Sequence, residues 1–294
     1  MMTNRFYIVD VFAEQRYSGN PLAVVVANDS LSTDSMQGIA AEMNFSETTF
    51  VAPNPEDGAY LVRIFTPSQE IAFAGHPILG TAWIIRQYLQ PASTQTVILK
   101  LVVGDIPVRF EQPGEQNEVV WFRAPPVTLG TYCDRTNMAS ALGIAAEEID
   151  AEFPVQQLSA GTSAMVVPLC SLDALKRSKL NLDKYAELAA LGFPPLVYLF
   201  CCETHQPQNQ LCARFYFESH GVREDPATGN GAAFLGAYLL EHHFYPQRDF
   251  TLRIEQGYEV RRPSLVMLHA HQGNGAREIS VGGHIVPVMQ GELL

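Results

Sequence analysis

The stretch Phe73 to Leu89, FAGHPILGTAWIIRQYL, reads as a strand-to-helix turn aimed at a ligand. Gly75 lets the backbone turn sharply, Pro77 suits the first helical position, and Ile78, Thr81, Ala82 and Ile85 repeat at helical spacing. His76 then stands at the mouth of that helix. The same grammar returns in Asp225 to Leu240, DPATGNGAAFLGAYLL, where Gly229 and Asn230 precede an apolar helix rich in small residues. A β-like run comes before each, Leu61 to Phe65 and Leu211 to Phe217. One glycine ahead of a helix is common; two such turns about half a chain apart predict a duplicated unit, with the two helix mouths facing one cleft.

The totals agree with two domains. A chain of 294 residues with 47% hydrophobic content can bury two cores. No apolar run reaches the length of a membrane span, and MMTNRFYIVDVF enters a strand-like pattern without the features of a signal sequence, so the expected location is the cytoplasm. The five cysteines, Cys133, Cys170, Cys201, Cys202 and Cys212, form no CxxC and have no histidines at ligand spacing. They read as reduced thiols rather than a disulfide frame or a zinc site. A formal charge of −12 without clustered Lys and Arg argues against a nucleic-acid partner. It also repels anions at long range, so any recognition of a carboxylate has to be local.

Along the chain, Phe6 to Phe12 and Leu22 to Ala27 read as strands joined by Tyr17-Ser18-Gly19-Asn20-Pro21. Ser32, Thr33 and Asp34 offer caps to a helix that ends near Asn44, and the β-favouring run Phe45 to Val51 follows. Val97 to Val103, Val108 to Phe110 and Val119 to Phe122 suggest a meander. The prolines and glycine of Ala124 to Gly130 mark a domain boundary. The domains are expected at 1–126 and 127–294, with a strand over 279–290 returning to the first.

In the second half, Asn137 to Leu142, Ala145 to Ile149 and Leu180 to Leu191 read as helical. Val155 to Leu158, Ala164 to Leu169 and Leu196 to Cys202 read as strands. The chain closes with strands at Phe250 to Glu255, Tyr258 to Val260, Leu265 to His269 and Ile279 to Val288.

Several residues suit chemistry. Glu47, among the hydroxyls of Ser46 and Thr48, can take a proton from an activated carbon and return it elsewhere; by itself it reads more readily as a solvated strand-edge carboxylate. His76 can bind substrate or trade protons, or simply satisfy a backbone group at a helix entry. Asp225 opens an Asp-Pro turn, and Asn230 also suits a helix cap. His269 and His271 share a strand face with no third ligand in view, so no metal is expected there. Each helix N-terminus offers free N–H groups and about half a positive charge, enough to hold a carboxylate or enolate without an arginine clamp.

Taken together, the motifs YSGNPLAVVV at Tyr17 to Val26 (preceded by Phe12), NFSETTFV at Asn44 to Val51, FTP and AGHPILGTA at Phe65 to Ala82, EDPATGNGA at Glu224 to Ala232 and QGYEVRRPS at Gln256 to Ser264 resemble the PhzF-like family of phenazine biosynthesis isomerases, itself similar in fold to diaminopimelate epimerase. The resemblance runs over essentially the whole chain. It implies an α+β fold of two similar domains, each a mixed β-sheet curled around a central helix, with the active site between them. It implies a cofactor-independent isomerase moving a proton within a small carboxylic acid. Glu47 falls on the family's acid-base, and His76 and Asp225 on groups that contact substrate and assist proton traffic. Gly75, Gly229 and Asn230 fall on helix-mouth positions that grip the substrate carboxylate, with Asn20 and Ser46 as further substrate-side candidates. A homodimer, no cofactor, no metal and no membrane partner belong to the same expectation.

Two departures stand out. The epimerases use a cysteine at each helix mouth, where this chain has Gly75-His76 and Gly229-Asn230. The phenazine enzyme carries a serine where this chain has Asn230, a bulkier residue with two donors, so the substrate can differ. Two alternatives stay open: an amino-acid racemase or epimerase using other groups, and a non-catalytic small-acid-binding protein of the same fold.

Overall fold

The computed structural model describes residues 4–27, 31–90, 94–115, 117–216, 224–273 and 275–294. The chain divides into two units, one of residues 1–123 with 281–294 and the other of 124–280.

In the first unit, β1 (Arg5–Val11) runs antiparallel to the Val-rich β2 (Asn20–Val26), with Val11 opposite Asn20. β3 (Glu47–Val51) lies parallel to β2, placing Glu47 opposite Leu22. A parallel pair needs a crossover. Here it is α1 (Thr33–Met43), where Ser32 Oγ accepts from Ser35 N at the start and Asn44, at φ 53°, ends the helix in the left-handed region. β4 (Tyr60–Phe65) is antiparallel to β3, and the short β5 (Glu70–Ile71) folds back on β4. After α2 (Gly75–Tyr88), β6 (Thr96–Leu101) lies parallel to β4 and leads into the antiparallel β7 (Gly104–Glu111) and β8 (Val119–Arg123). The last strand, β18 (Ile285–Glu292), pairs antiparallel with β1.

Every residue of α2 from Gly75 to Ala82 is buried, and the helix packs against β1, β2, β3, β6, β7 and β8. The mixed sheet therefore curls around it. A helix apolar on all sides belongs in a core, and each fully buried Ile or Leu, such as Ile78, Leu79 and Ile85, contributes about 1.5–3 kcal/mol relative to exposure. The Thr49 and Thr81 hydroxyls, 2.8 Å apart, tie the helix to β3.

The second unit repeats the pairing order. β10 (Val155–Ala160) is antiparallel to β9 (Thr128–Cys133) and to β11 (Thr162–Pro168), and β11 is parallel to β12 (Val197–Cys201). β12 is antiparallel to β13 (Leu211–Tyr216), and the short β14 (Glu224–Asp225) folds back on β13. α6 (Gly229–Glu241) follows, then β15 (Asp249–Gln256) parallel to β13 and β16 (Ser264–Gln272) antiparallel to β15. α6 is buried from Gly231 to Leu240 and packs on β10, β11 and β16. The remaining helices, α3 (Arg135–Leu142), α4 (Leu172–Arg177) and α5 (Leu182–Ala190), pack with the core around Leu142, Leu175 and Leu188. Strand, parallel crossover, two-residue return strand and central helix thus occur twice in the same order.

Several local expectations are corrected. α2 starts at Gly75, so Pro77 is its third residue, still in the first turn where a missing N–H costs nothing. Asn230 is not a cap, because the N-cap of α6 is Thr228. Tyr258 to Val260 is a turn rather than a strand. Ile279 to Val288 is two strands, β17 (Arg277–Gly283) and β18, separated at His284, whose Nδ1 donates to Glu118 O at 2.7 Å. Ala146–Glu148 is a 3-10 turn, and Thr128 to Gly130 already belong to β9. Phe217, the expected end of a strand, lies outside the described residues. Among the described residues, no helix is long and apolar enough to cross a membrane.

Candidate active site

In the first unit, three distant stretches bring Asn20, Glu47 and His76 together. Asn20 starts β2 directly after a turn that has little freedom. Asp10 Oδ2 accepts from Tyr17 N at 2.6 Å, and Ser18 Oγ donates to Gln15 O at 2.7 Å. Gly19 has φ +66°, and a Cβ there would sit 2.3 Å from Val11 O, so only glycine fits. Glu47 starts the neighbouring parallel strand, and His76 is the second residue of α2. Asn20 Nδ2 donates to His76 Nδ1 at 3.3 Å, and His76 Nε2 lies 3.4 Å from Glu47 Oε2.

The Asn20 bond defines the protonation of the ring. With Nδ1 accepting from Asn20, the neutral imidazole carries its hydrogen on Nε2, the nitrogen nearer Glu47, and that N–H and Glu47 Oε2 sit 3.4 Å apart without forming a hydrogen bond. Burial lowers the His76 pKa to about 3, so the ring is uncharged at neutral pH. Glu47 is 6% exposed, which rules out the solvated strand-edge reading. The arrangement is one buried carboxylate beside a neutral imidazole, with Gly75 buried beside His76 at the helix mouth. Ser46, half-buried, directly precedes Glu47.

In the second unit, Asp225 is 5% exposed at the end of β14, and Thr228 Oγ1 donates to its Oδ2. Gly229 is buried and Asn230 half-buried in the first turn of α6. Glu224, beside Asp225, takes a bidentate pair from Arg214, with Nε at 3.0 Å and Nη2 at 2.7 Å. Thr228 and Gln256 are the polar residues at this turn that sequence reading did not single out. The spacing of an aspartate and a threonine three residues apart was the available signal for Thr228.

Other titratable clusters have local explanations. His205, Cys212 and Glu255 each bring a donor atom within 4.8 Å of the others, a grouping that could hold a metal ion. The Glu255 carboxylate, however, already accepts from His205 N at 2.6 Å, His205 Nδ1 at 2.9 Å, Gln206 N at 2.8 Å and Asn209 Nδ2 at 2.7 Å. Burial also pushes the Cys212 thiol well up, away from the thiolate a metal requires. The donor set is a brace for the 205–209 loop, and the Tyr258 ring stacks on His205 at 3.8 Å. His269 and His271 do have a third group on their face: Asp249 meets His269 Nε2 at 3.0 Å and His271 Nδ1 at 3.1 Å.

The chain matches the family model described as phenazine biosynthesis-like protein over residues 9–291. It is 36% identical to an uncharacterised isomerase of Mesorhizobium japonicum, over 100% of this chain and 99% of that protein. It is 33% identical to the trans-2,3-dihydro-3-hydroxyanthranilate isomerase of Pseudomonas aeruginosa, over 95% and 94% of the two chains. A Bacillus anthracis phenazine biosynthesis protein of the PhzF family has a structure similar to this one at TM-score 0.90, with 24% identity and complete coverage of both chains. A hydroxyproline epimerase from Agrobacterium vitis shares the fold at TM-score 0.63 and 12% identity, over 99% and 92% of the two chains.

Proposed function

Because the chain belongs to the phenazine biosynthesis-like (PhzF) family of isomerases, we propose that it moves a proton between two carbons of a small unsaturated carboxylic acid, with Glu47 as the group that carries the proton. The observation that carries this reading is the buried Glu47 carboxylate 3.4 Å from a neutral His76 imidazole. General acid-base transfer by a carboxylate so placed is worth about 10²- to 10⁴-fold.

The steps balance without a cofactor. Glu47 takes a proton from a carbon next to the acid's unsaturated system, leaving a delocalised anion, and then returns it to another carbon of that system. The His76 Nε2–H, which makes no hydrogen bond among the described residues, donates to a substrate oxygen that gains charge. In this proposal Asp225 assists proton traffic, and the N–H groups at the mouth of α6, at Gly229 and Asn230, bind a carboxylate.

A thiol-based racemase has less support. Burial pushes Cys133 up to about 11 and Cys201 up to about 12, and it also raises Cys170, Cys202 and Cys212, so no thiol stands ready as a base near neutral pH. The proposal is tested by incubating the protein in deuterated water with trans-2,3-dihydro-3-hydroxyanthranilate, the compound named for the Pseudomonas relative, and with a panel of other small unsaturated acids. Isomer formation with deuterium at carbon in one of them is the expected result. Saturable binding without any deuterium incorporation across the panel would instead identify a binding protein.

A further inference from the structure

The motif at Gln256 and Gly257 has no role in the proton transfer described above, yet it closes directly on the Asp225 turn. Gln256 is fully buried at the end of β15. Its Nε2 donates to Asp225 O at 2.8 Å and to Thr228 Oγ1 at 3.3 Å, and its Oε1 accepts from Thr228 N at 3.3 Å. A hydroxyl has a single hydrogen. Since Thr228 Oγ1 accepts from Gln256, that hydrogen is left for the Asp225 carboxylate, the contact observed.

The residues on either side of Gln256 hold it in place. The Glu255 carboxylate is fixed by its four bonds from the 205–209 loop. Gly257, at φ +81°, passes so close to the turn that a Cβ would lie 2.5 Å from Pro226 O and 2.4 Å from Arg262 O. On the other side of the turn, Arg214 anchors Glu224. The turn from Glu224 to Thr228 is therefore held at both ends, and the Gln256 side chain reads its main chain and its hydroxyl together.

We infer that Gln256 is the positioning residue for Asp225: it orients the Thr228 hydroxyl, which in turn fixes the carboxylate at the mouth of α6. This rests on the proposed role of Asp225. Hydrogen bonds to a charged group carry enough energy that losing this orientation is expected to lower kcat about 10- to 100-fold, with KM changed by less than about threefold.

The experiment compares Gln256→Met, Thr228→Val, Thr228→Ser, Asp225→Asn and the Thr228→Val/Gln256→Met double variant by deuterium incorporation into trans-2,3-dihydro-3-hydroxyanthranilate or the panel acid that the unmodified protein turns over, alongside the 13C resonance of the Asp225 carboxyl. If Gln256 works through Thr228, the double variant is no slower than Thr228→Val alone, and Thr228→Ser recovers most of the kcat that valine loses. Multiplying losses, or wild-type kcat in Gln256→Met while Asp225→Asn is inactive, would overturn the inference. Wild-type kcat in Asp225→Asn, or no exchange by the unmodified protein, counts against the proposed function instead. The positioning role is then decided by the Asp225 resonance, expected to move in Gln256→Met and to stay put only if the inference is wrong. Should Gln256→Met fail to fold, the isosteric Gln256→Glu, which lacks both donors, takes its place.

Discussion

His76 Nε2 lies 3.4 Å from Glu47 Oε2, with 4% of the histidine side chain and 8% of the glutamate side chain open to solvent. A charged pair in such a place would require two desolvated ions, whereas a neutral imidazole beside a carboxylate requires one. Burial favours the second arrangement, and Asn20, donating to Nδ1, selects the tautomer that completes it.

The first consequence concerns rate against pH. With the His76 pKa near 3, kcat measured from pH 5 to 9 is expected to show no inflection from this ring near its ordinary value of 6.5. An inflection between pH 6 and 7 that disappears in His76→Gln would show that the ring titrates there.

The second concerns stability. Between pH 6.5 and about 3, the unfolded chain binds a proton on His76 that the folded chain excludes, so the stabilisation is present above pH 6.5 and is lost as the pH falls. Urea unfolding of wild type is expected to lose stability more steeply on acidification through this window than His76→Gln, by up to about 1.4 kcal/mol per pH unit. Parallel slopes would contradict the assignment of a buried neutral ring.

Gly257 offers a test of packing. Both atoms that a Cβ would strike are backbone oxygens, and φ is +81°, so neither neighbour can move aside cheaply. Gly257→Ala is expected to cost about 2–4 kcal/mol in urea unfolding. A change below about 0.5 kcal/mol would mean that the 226 and 262 segments yield easily.

The buried pair of Arg214 and Glu224 gives another. Arg214 also donates to Leu175 O at 2.8 Å and Ser178 O at 2.9 Å, tying the Asp225 turn to the end of α4. Arg214→Met leaves the Glu224 carboxylate buried and is expected to cost about 3–5 kcal/mol. Replacing both, with Glu224→Leu, should recover part of that loss. An equal or larger cost in the double variant would show that the guanidinium's bonds to the main chain dominate.

Much of this arrangement could be read from the sequence, because glycine turns, caps and apolar periodicity are local. The entry to α2, the Ser32 and Asn44 ends of α1 and the repeated turn ahead of α6 are of that kind. What brings Asn20 beside His76 is not local, since it depends on the parallel pairing of β2 with β3 and on a helix starting at Gly75. Tyr258 to Val260 has strand-forming residues but lies between the positive φ angles of Gly257 and Arg261, which favour a turn. The six-residue α4 is too short for its period to show, leaving only its Ser171 cap as a signal. Gln256 was visible as part of a motif, but its purpose became clear only with Asp225 and Thr228 in contact with it.

The central claim is that the carboxylate of Glu47 carries the proton, and Glu47→Gln tests it most directly, since the side chain keeps its shape and loses its basicity. The measurement is deuterium incorporation from deuterated water into trans-2,3-dihydro-3-hydroxyanthranilate or the panel acid that the unmodified protein turns over, with folding checked by circular dichroism. A folded variant whose incorporation drops at least about 100-fold is the expected result. Exchange at the wild-type rate by that folded variant would contradict the claim.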